Sequence, residues 1–287
     1  MGRRFSTAGY ARGDANAEEA AAGAGGGAVQ DGVTCVSFYR VTPPPLPPIL
    51  AIVDLATPMT WAVIIGWIMT VVLHEFAHGL VAYLGGDYTI KERGGLTLNP
   101  LQYVDPVMSI LLPVVFLAMG GIPLPGGVTY VRRDLLRSKW WGSAVSLAGP
   151  AMNFLLFVLM SLPFHPTLGW IDTSVAPDEY KPWQIFLGGM AQLQMMAVLL
   201  NLVPVPPLDG FNAVSPLLPE ETRTKLSTPP ISTFAFFAFF MVLWSSPRPI
   251  QLIYELTHRV LVAMRFDHAS MEMMRQCFNW ALFGRND

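Results

Sequence analysis

The stretch MTWAVIIGWIMTVVLHEFAHGLVA, residues 59–82, carries His74-Glu75-Phe76-Ala77-His78 inside an otherwise apolar segment. The segment is long enough to cross a membrane as a helix, which takes about 20 residues. Histidines four residues apart lie one turn above each other on one helix face, so both imidazoles can reach one metal ion. Glu75 has the position from which a carboxylate can deprotonate a metal-bound water. Ionisable groups inside a membrane helix are functional by default, so the pattern predicts a zinc site.

The composition of the whole chain agrees with a membrane protein. Hydrophobic residues make up 52% of the 287 residues and charged residues only 13%, whereas a soluble domain carries about 25% charged residues. The mean hydropathy is +0.43. The net charge is −2, and there is no basic tract of the kind that binds nucleic acid. These features indicate an integral membrane protein in contact with the lipid bilayer and argue against nucleic acid as a partner.

The apolar segments predict an all-α integral membrane helical bundle with about four to six membrane segments. The sequence divides into a flexible N-terminal arm at 1–47, a polytopic membrane domain at 48–247 and an amphipathic, interfacial C-terminal segment at 248–287. The arm begins with several arginines typical of a targeting peptide, but it also contains acidic residues, which such peptides avoid. The apolar segments are 59–82, 106–122, 140–163, 183–203 and 231–246.

One segment between the first two apolar stretches differs from the rest. Residues 88–99 alternate in character on both sides of Arg93-Gly94-Gly95, a pattern typical of a β-hairpin. We therefore predict a small membrane-associated β-hairpin or sheet here. The alternative interpretation is an ordinary connecting loop.

A catalytic zinc site needs a third protein ligand and one open position. The segment 183–203 is followed by a proline-broken stretch that ends in Leu208-Asp209-Gly210. Irregular backbone at membrane depth is tolerated only where it lies against protein or lines a water cavity. Asp209 is therefore a candidate third ligand, although its position taken alone favours a solvated loop aspartate.

Three motifs in order, HEFAHG, SLAGPAMN and NLVPVPPLDG, resemble those of the site-2 protease family of intramembrane zinc metallopeptidases. The similarity is to the compact prokaryote-type branch without a PDZ domain, and KERGGLTLNPLQYVDP resembles that branch too. The resemblance covers roughly residues 59–218. It implies that His74, His78 and Asp209 hold one Zn²⁺ per chain and that Glu75 is the catalytic glutamate, which activates the zinc-bound water.

The resemblance also implies roles in substrate binding. Asn153 and Asn201 match polar positions near the site, where they would hydrogen-bond to the substrate backbone or to the oxyanion; either could instead bridge two helices. In this family a transmembrane protein substrate is thought to bind as an added β-strand, which would place it near 88–99. Residues 123–139 fit the family pattern only loosely.

These assignments constrain the topology of the chain. For one zinc to contact His78 and Asp209, the ends of the first and fourth segments must approach the same side of the membrane. One intervening segment should therefore not cross, and 106–122, which is short and broken by Pro113, is predicted to be re-entrant. The loops on the metal side would then be rich in Lys and Arg, which predicts a multi-pass protein whose active site lies nearer the cytoplasmic, or equivalent, face.

Two other functions are compatible with parts of the pattern. A catalytically silent subunit or chaperone of a membrane complex would keep the fold without cutting, but the complete set of metal and base residues argues against it. A transporter also uses intramembrane His and Glu, but the sequence has no paired half-repeats. The sequence therefore predicts a zinc metalloendopeptidase that hydrolyses peptide bonds within or beside the bilayer.

Overall fold

The computed structural model describes residues 57–111, 113–115 and 126–283, and regular secondary structure within these residues is helical. The arm predicted at 1–47 lies outside them. Short 3₁₀ turns and one π-helix, Pro106–Leu111, occur in the connections. The helices are α1 (Pro58–Gly85), α2 (Thr89–Glu92), α3 (Lys139–Ser161), α4 (Pro182–Asn201), α5 (Asp209–Val214), α6 (Glu220–Ser227), α7 (Ile231–Ser245), α8 (Arg248–Ala263) and α9 (His268–Phe283).

Helix α1 has clear start and stop signals. Thr57 caps its N-terminus by accepting a hydrogen bond on Oγ1 from the backbone N–H of Thr60 (3.2 Å). Pro58 occupies the first turn, where its missing N–H costs nothing. The helix ends at Gly86, whose φ of 119° is open to glycine and strained for other residues. These signals fix which residues of the long apolar run are helical.

Three helices are long and apolar enough to span a membrane: Pro58–Gly85, Lys139–Phe164 and Pro182–Asn201. The pair Glu220–Ser227 and Ile231–Leu243 passes the same test as one broken span, bent by 67°. The all-α bundle predicted from the sequence is therefore confirmed, with three or four candidate spans in the described part of the chain.

The three long helices pack against one another in a defined order. Gly66 of α1 lies against Phe186 and Met190 of α4, and Gln194 of α4 donates a hydrogen bond from Nε2 to Thr70 Oγ1 of α1 (3.0 Å). Because contacts advance in the same direction along both helices, α1 and α4 are parallel. Helix α3 runs antiparallel to both, and so the C-terminal ends of α1 and α4 meet the N-terminal end of α3.

The C-terminal segment contributes to this bundle through α9. A Cβ at Gly188 would lie 2.7 Å from Cys277 Cβ, and one at Gly189 would lie 2.7 Å from Ala281 Cβ. The two glycines of α4 thus let the backbone of α9 approach closely, as small residues do in membrane bundles. Residues of α9, together with Leu261 of α8, belong to the main hydrophobic core.

The connection between α1 and α3 begins and ends at the same end of the bundle. The backbone N–H of Arg137 donates to the carbonyl of Gly85 (2.9 Å), directly after α1 and directly before α3. The described ends of this connection therefore lie together, which is compatible with the parity argument. The segment 106–122, predicted to be re-entrant, lies partly outside the described residues.

The β-hairpin predicted at 88–99 is not found, and the described residues contain no β-strand. The segment instead forms the helical turn α2 and then consecutive turns. Asp87 initiates the turn by accepting a hydrogen bond from Thr89 Oγ1 (2.5 Å), and Gly94 reverses the chain with a φ of 78°. The alternating pattern of the sequence therefore belongs to a folded connection whose backbone–backbone hydrogen bonds are local.

Candidate metal centre

Helix α1 presents both histidines of the HEFAH motif toward α3 and α5. His74 and His78 are buried, with relative exposures of 7% each, and their Nε2 atoms lie 3.0 Å apart. The rings are nearly perpendicular, with an interplanar angle of 82°. Spacing of four residues on one helix has thus placed two nitrogen donors side by side, as the sequence predicts.

Asp209 reaches the same point from the start of α5. Its Oδ2 lies 3.2 Å from His74 Nε2 and 3.3 Å from His78 Nε2. Gly210 makes this approach possible, since a Cβ there would collide with the carbonyl of Leu202. Burial opposes ionisation of Asp209, but the adjacent imidazoles hold the pKa of its carboxyl below the usual range.

His74, His78 and Asp209 form a candidate metal site, since their ligand atoms all lie within 4.8 Å of one another. Two imidazoles and one carboxylate are the donor set of many catalytic zinc sites, which leave a further position open. The cradle fits as well as the donors. Gly149 of α3 faces the two Nε2 atoms, and a Cβ at this position would fill the space between them.

The backbone of α3 also orients one of the donors. Nδ1 of His78 lies 2.6 Å from the carbonyl oxygen of Val145, and a ring N–H that donates there leaves Nε2 free to bind a metal. Nδ1 of His74 is buried and has no hydrogen-bond partner in the described chain. No local pattern in the sequence marks Val145 or Gly149 as a neighbour of the metal group, although Gly149 lies within the SLAGPAMN motif.

Glu75 is buried, with 6% relative exposure, and borders the same cavity as the two histidines. Two residues of a distant segment lie against it. A Cβ at Gly127 would come 2.9 Å from Glu75 Cγ, and Thr129 Oγ1 donates a hydrogen bond to the Glu75 carbonyl (3.1 Å). The segment 126–132 therefore passes directly beside the glutamate.

This 126–132 segment has no regular secondary structure, but its backbone hydrogen bonds alternate as in an extended chain. All of them fall on even-numbered residues: Gly126 N–H to Met108 O (3.1 Å), Val128 N–H to Tyr103 O (3.0 Å), Ser109 Oγ to Gly126 O (2.6 Å), Arg93 Nη1 to Tyr130 O (2.8 Å) and Arg132 N–H to Asp87 Oδ2 (2.8 Å). We call this the closed edge.

The opposite edge of the same segment is unused. Within the described residues, the backbone N–H and C=O groups of Gly127, Thr129 and Val131 have no hydrogen-bond partner. The whole 126–132 segment lines the cavity that contains Glu75, and of these three residues Gly127 and Thr129 lie against Glu75 itself. We call this the open edge; it presents a short row of donors and acceptors beside the metal group, as the rim of a sheet does.

The cavity has a volume of about 1000 Å³ and extends from the metal group between α1, α3 and α4 toward α7, α8 and α9. Asn153 and Asn201 both line it. Asn153 is buried at 4% exposure, and its Oδ1 has no partner in the described chain. The structure thus brings both asparagines to the cavity, without a direct contact to the metal group.

A bundle of apolar helices with a His, His and Asp donor group and a buried glutamate on the same helix is the arrangement expected of a membrane zinc metallopeptidase. The chain is 39% identical over 198 residues to Rip2 of Mycolicibacterium smegmatis, which is named a putative zinc metalloprotease. The aligned region covers 68% of this chain and 71% of that protein. Rip2 of Mycobacterium tuberculosis is also 39% identical, over 64% and 67% of the two chains. YwhC of Bacillus subtilis, with the same description, is 34% identical over 64% and 80%.

These relationships show that the chain belongs to the site-2 protease family and is a zinc metallopeptidase. No family model and no solved structure matches the chain.

Proposed function

We propose that this metallopeptidase hydrolyses peptide bonds of membrane proteins within or next to the bilayer. The observation that carries the proposal is the position of the HEFAH motif. His74, Glu75 and His78 lie in a helix long and apolar enough to span a membrane, and the two histidines meet Asp209 within 3.3 Å. A site built into a span favours substrates that reach it from the membrane.

One zinc ion per chain would be held by His74, His78 and Asp209. When bound, zinc supplies Lewis-acid chemistry, lowering the pKa of a water and polarising the scissile carbonyl. The closed packing of α3 against the group, through Gly149, leaves the cavity side as the open position. Substrate and water therefore approach from the cavity.

Glu75 acts as the general base and then as the general acid. Its carboxylate takes the proton of the attacking water and later delivers that proton to the leaving amine. It lies against the 126–132 segment on one side and borders the cavity through which water and substrate approach on the other. Asn153 and Asn201 line the same cavity and would donate hydrogen bonds to the substrate backbone or the oxyanion.

The substrate partner is a transmembrane protein whose cleaved segment is drawn out of its helix and bound as an added strand. A peptide bond inside a helix is shielded, and so it must be held extended to be cut. The open edge at Gly127, Thr129 and Val131 supports this mode, because it offers unpaired backbone groups beside Glu75. The receiving edge is therefore proposed at 126–132 in place of the predicted 88–99.

The metal end of the bundle would face the cytoplasm or its equivalent. The loops at that end carry Lys91, Arg132, Arg133, Arg137 and Lys139, whereas the loop 164–182 at the opposite end carries more acidic than basic residues. Basic loops favour the cytoplasmic side of a membrane.

The decisive experiment pairs a metal measurement with a cleavage assay. Wild type and Glu75→Gln are purified in detergent, bound zinc is quantified, and a panel of model transmembrane substrates is incubated with each. We expect about one zinc per chain in both proteins, with cleavage slowed at least about 100-fold in the variant. Zinc without cleavage in wild type would favour the silent subunit, and wild type without zinc would contradict the assignment of the ligands.

A further inference from the structure

Asp87, the second residue after α1, is a fully buried carboxylate outside the metal group. Its exposure is 0%. It accepts hydrogen bonds from Thr89 Oγ1 (2.5 Å), from Arg93 Nη2 (3.1 Å) and from the backbone N–H of Arg132 (2.8 Å). A buried charge persists only where it is paired and hydrogen-bonded, and every one of these donors belongs to the connection between α1 and α3.

Two of these interactions end on the 126–132 segment. Asp87 holds the N–H of Arg132 directly. Arg93, held by Asp87 through Nη2, uses Nη1 to donate to the carbonyl of Tyr130 (2.8 Å). Both bonds lie on the closed edge, and both lie toward the end of the segment that follows Thr129. Asp87 and Arg93 therefore hold the backbone of the segment immediately after Thr129, a residue that contacts Glu75.

Both attachment points of the 126–132 segment, Glu75 and Asp87, are fixed to helix α1. Asp87 is joined to α1 by its N–H, which donates to Ala82 O (3.0 Å), and α1 also carries Glu75. The segment is thus attached to α1 twice, at Glu75 through Thr129 and beyond the helix end through Asp87. Both attachments leave the N–H and C=O groups of the open edge unoccupied.

We propose that Asp87 and Arg93 are positioning residues that align the open edge for an extended substrate. They hold the closed edge at Tyr130 and Arg132, so that Val131 and Thr129 present their backbone groups in register with a substrate lying over Glu75. The proposal rests on the proposed function and assigns the pair to capture of the substrate, separate from metal binding.

Arg93 is the residue to vary, since 40% of its side chain is exposed and its loss leaves Asp87 two donors. Arg93→Gln removes the fork that joins Asp87 to Tyr130. Arg93→Lys keeps the charge near Asp87, but a single ammonium lacks the planar fork that serves both acceptors. Arg137→Gln is the matched control, because it removes an arginine at the same end of the bundle whose guanidinium, within the described residues, hydrogen-bonds only to Tyr88 OH (3.4 Å).

The assay measures bound zinc, kcat and KM with peptide substrates, and adds a series in which single substrate amides are N-methylated. For Arg93→Gln we expect unchanged zinc, a KM raised about tenfold, and a kcat close to that of wild type. In wild type, methylation of amides that pair with the open edge should slow cleavage. In Arg93→Gln this penalty should shrink. The KM values and methylation penalties of Arg93→Lys and Asp87→Asn should lie between those of wild type and Arg93→Gln.

The outcomes separate this inference from the proposed function. Wild type that cleaves nothing overturns both. Wild type that cleaves, together with an Arg93→Gln variant of unchanged KM and unchanged methylation profile, overturns the inference alone. A parallel loss of zinc and kcat in Arg93→Gln and Arg93→Lys, with Arg137→Gln unaffected, would assign the pair to general stability and would also overturn it.

Discussion

Gly149 is the residue that closes α3 over the metal group, and it offers the sharpest test at the scale of a single atom. A Cβ at this position would occupy the space between the Nε2 atoms of His74 and His78. Gly149→Ala should therefore lower zinc content and slow cleavage by at least about 100-fold, since displacements of about 1 Å carry such costs. Zinc quantification and the cleavage assay measure both effects.

The control for Gly149→Ala lies on the same helix. Gly142 is also buried, but a Cβ there would meet nothing within 4 Å. Gly142→Ala should keep zinc and activity and raise the free energy of unfolding by about 0.5–1 kcal/mol, because alanine restricts the unfolded chain and favours the helix. Equal behaviour of the two variants would show that Gly149 does not limit the space at the metal group.

At the scale of elements, the 126–132 segment packs against Glu75 of α1. A Cβ at Gly127 would lie 2.9 Å from Glu75 Cγ and 3.0 Å from Val71 Cγ1, so Gly127→Ala must push the glutamate aside. We expect kcat to fall about 10- to 100-fold while zinc binding is kept, because the base is displaced and the metal ligands are not.

Gly126 is the matched control for this variant. A Cβ at Gly126 would lie 3.4 Å from the carbonyl of Met108, which is an ordinary contact, and it would not touch Glu75. Gly126→Ala should therefore retain a kcat within about twofold of wild type. If Gly127→Ala matches it, the segment does not hold the glutamate in the way that the structure indicates.

At the scale of the whole molecule, the parallel course of α1 and α4 sets which loops share a side. Arg133 follows the 126–132 segment at the metal end, and Asp178 lies in the connection between α3 and α4 at the other end; both are exposed. Cysteines introduced separately at these positions should react with a membrane-impermeant reagent from opposite sides of sealed vesicles. Arg133→Cys should react from the cytoplasmic, or equivalent, side.

Two features make this labelling interpretable. The native Cys277 is buried and stays in place, whereas Cys35 is replaced by serine. Vesicles opened with detergent should label at both introduced positions and so provide the reference. Labelling of both positions from one side of intact vesicles would contradict a topology in which α3 crosses the membrane.

Much of the site could be predicted from the sequence because its signals are local. The HEFAH spacing places both histidines on one helix face. The glycine after Asp209 lets the chain fold back closely against the carbonyl of Leu202. The predicted meeting of His74, His78 and Asp209 corresponds to the distances found in the structure. The roles of Asn153 and Asn201 stay predictions, since the structure brings them only to the cavity.

By itself, then, the sequence determined the apolar helices, the candidate metal ligands and the return of the chain to one end of the bundle. Periodicity and residue type are sufficient there, because a helix satisfies its own backbone hydrogen bonds. Only the tertiary structure decided that the extended edge lies at 126–132 and that α9 joins the core. The physical reason is that both features depend on residues far away in the sequence. The backbone groups of the closed edge are satisfied by distant partners, such as Asp87 and Tyr103, and no local pattern shows which edge remains open.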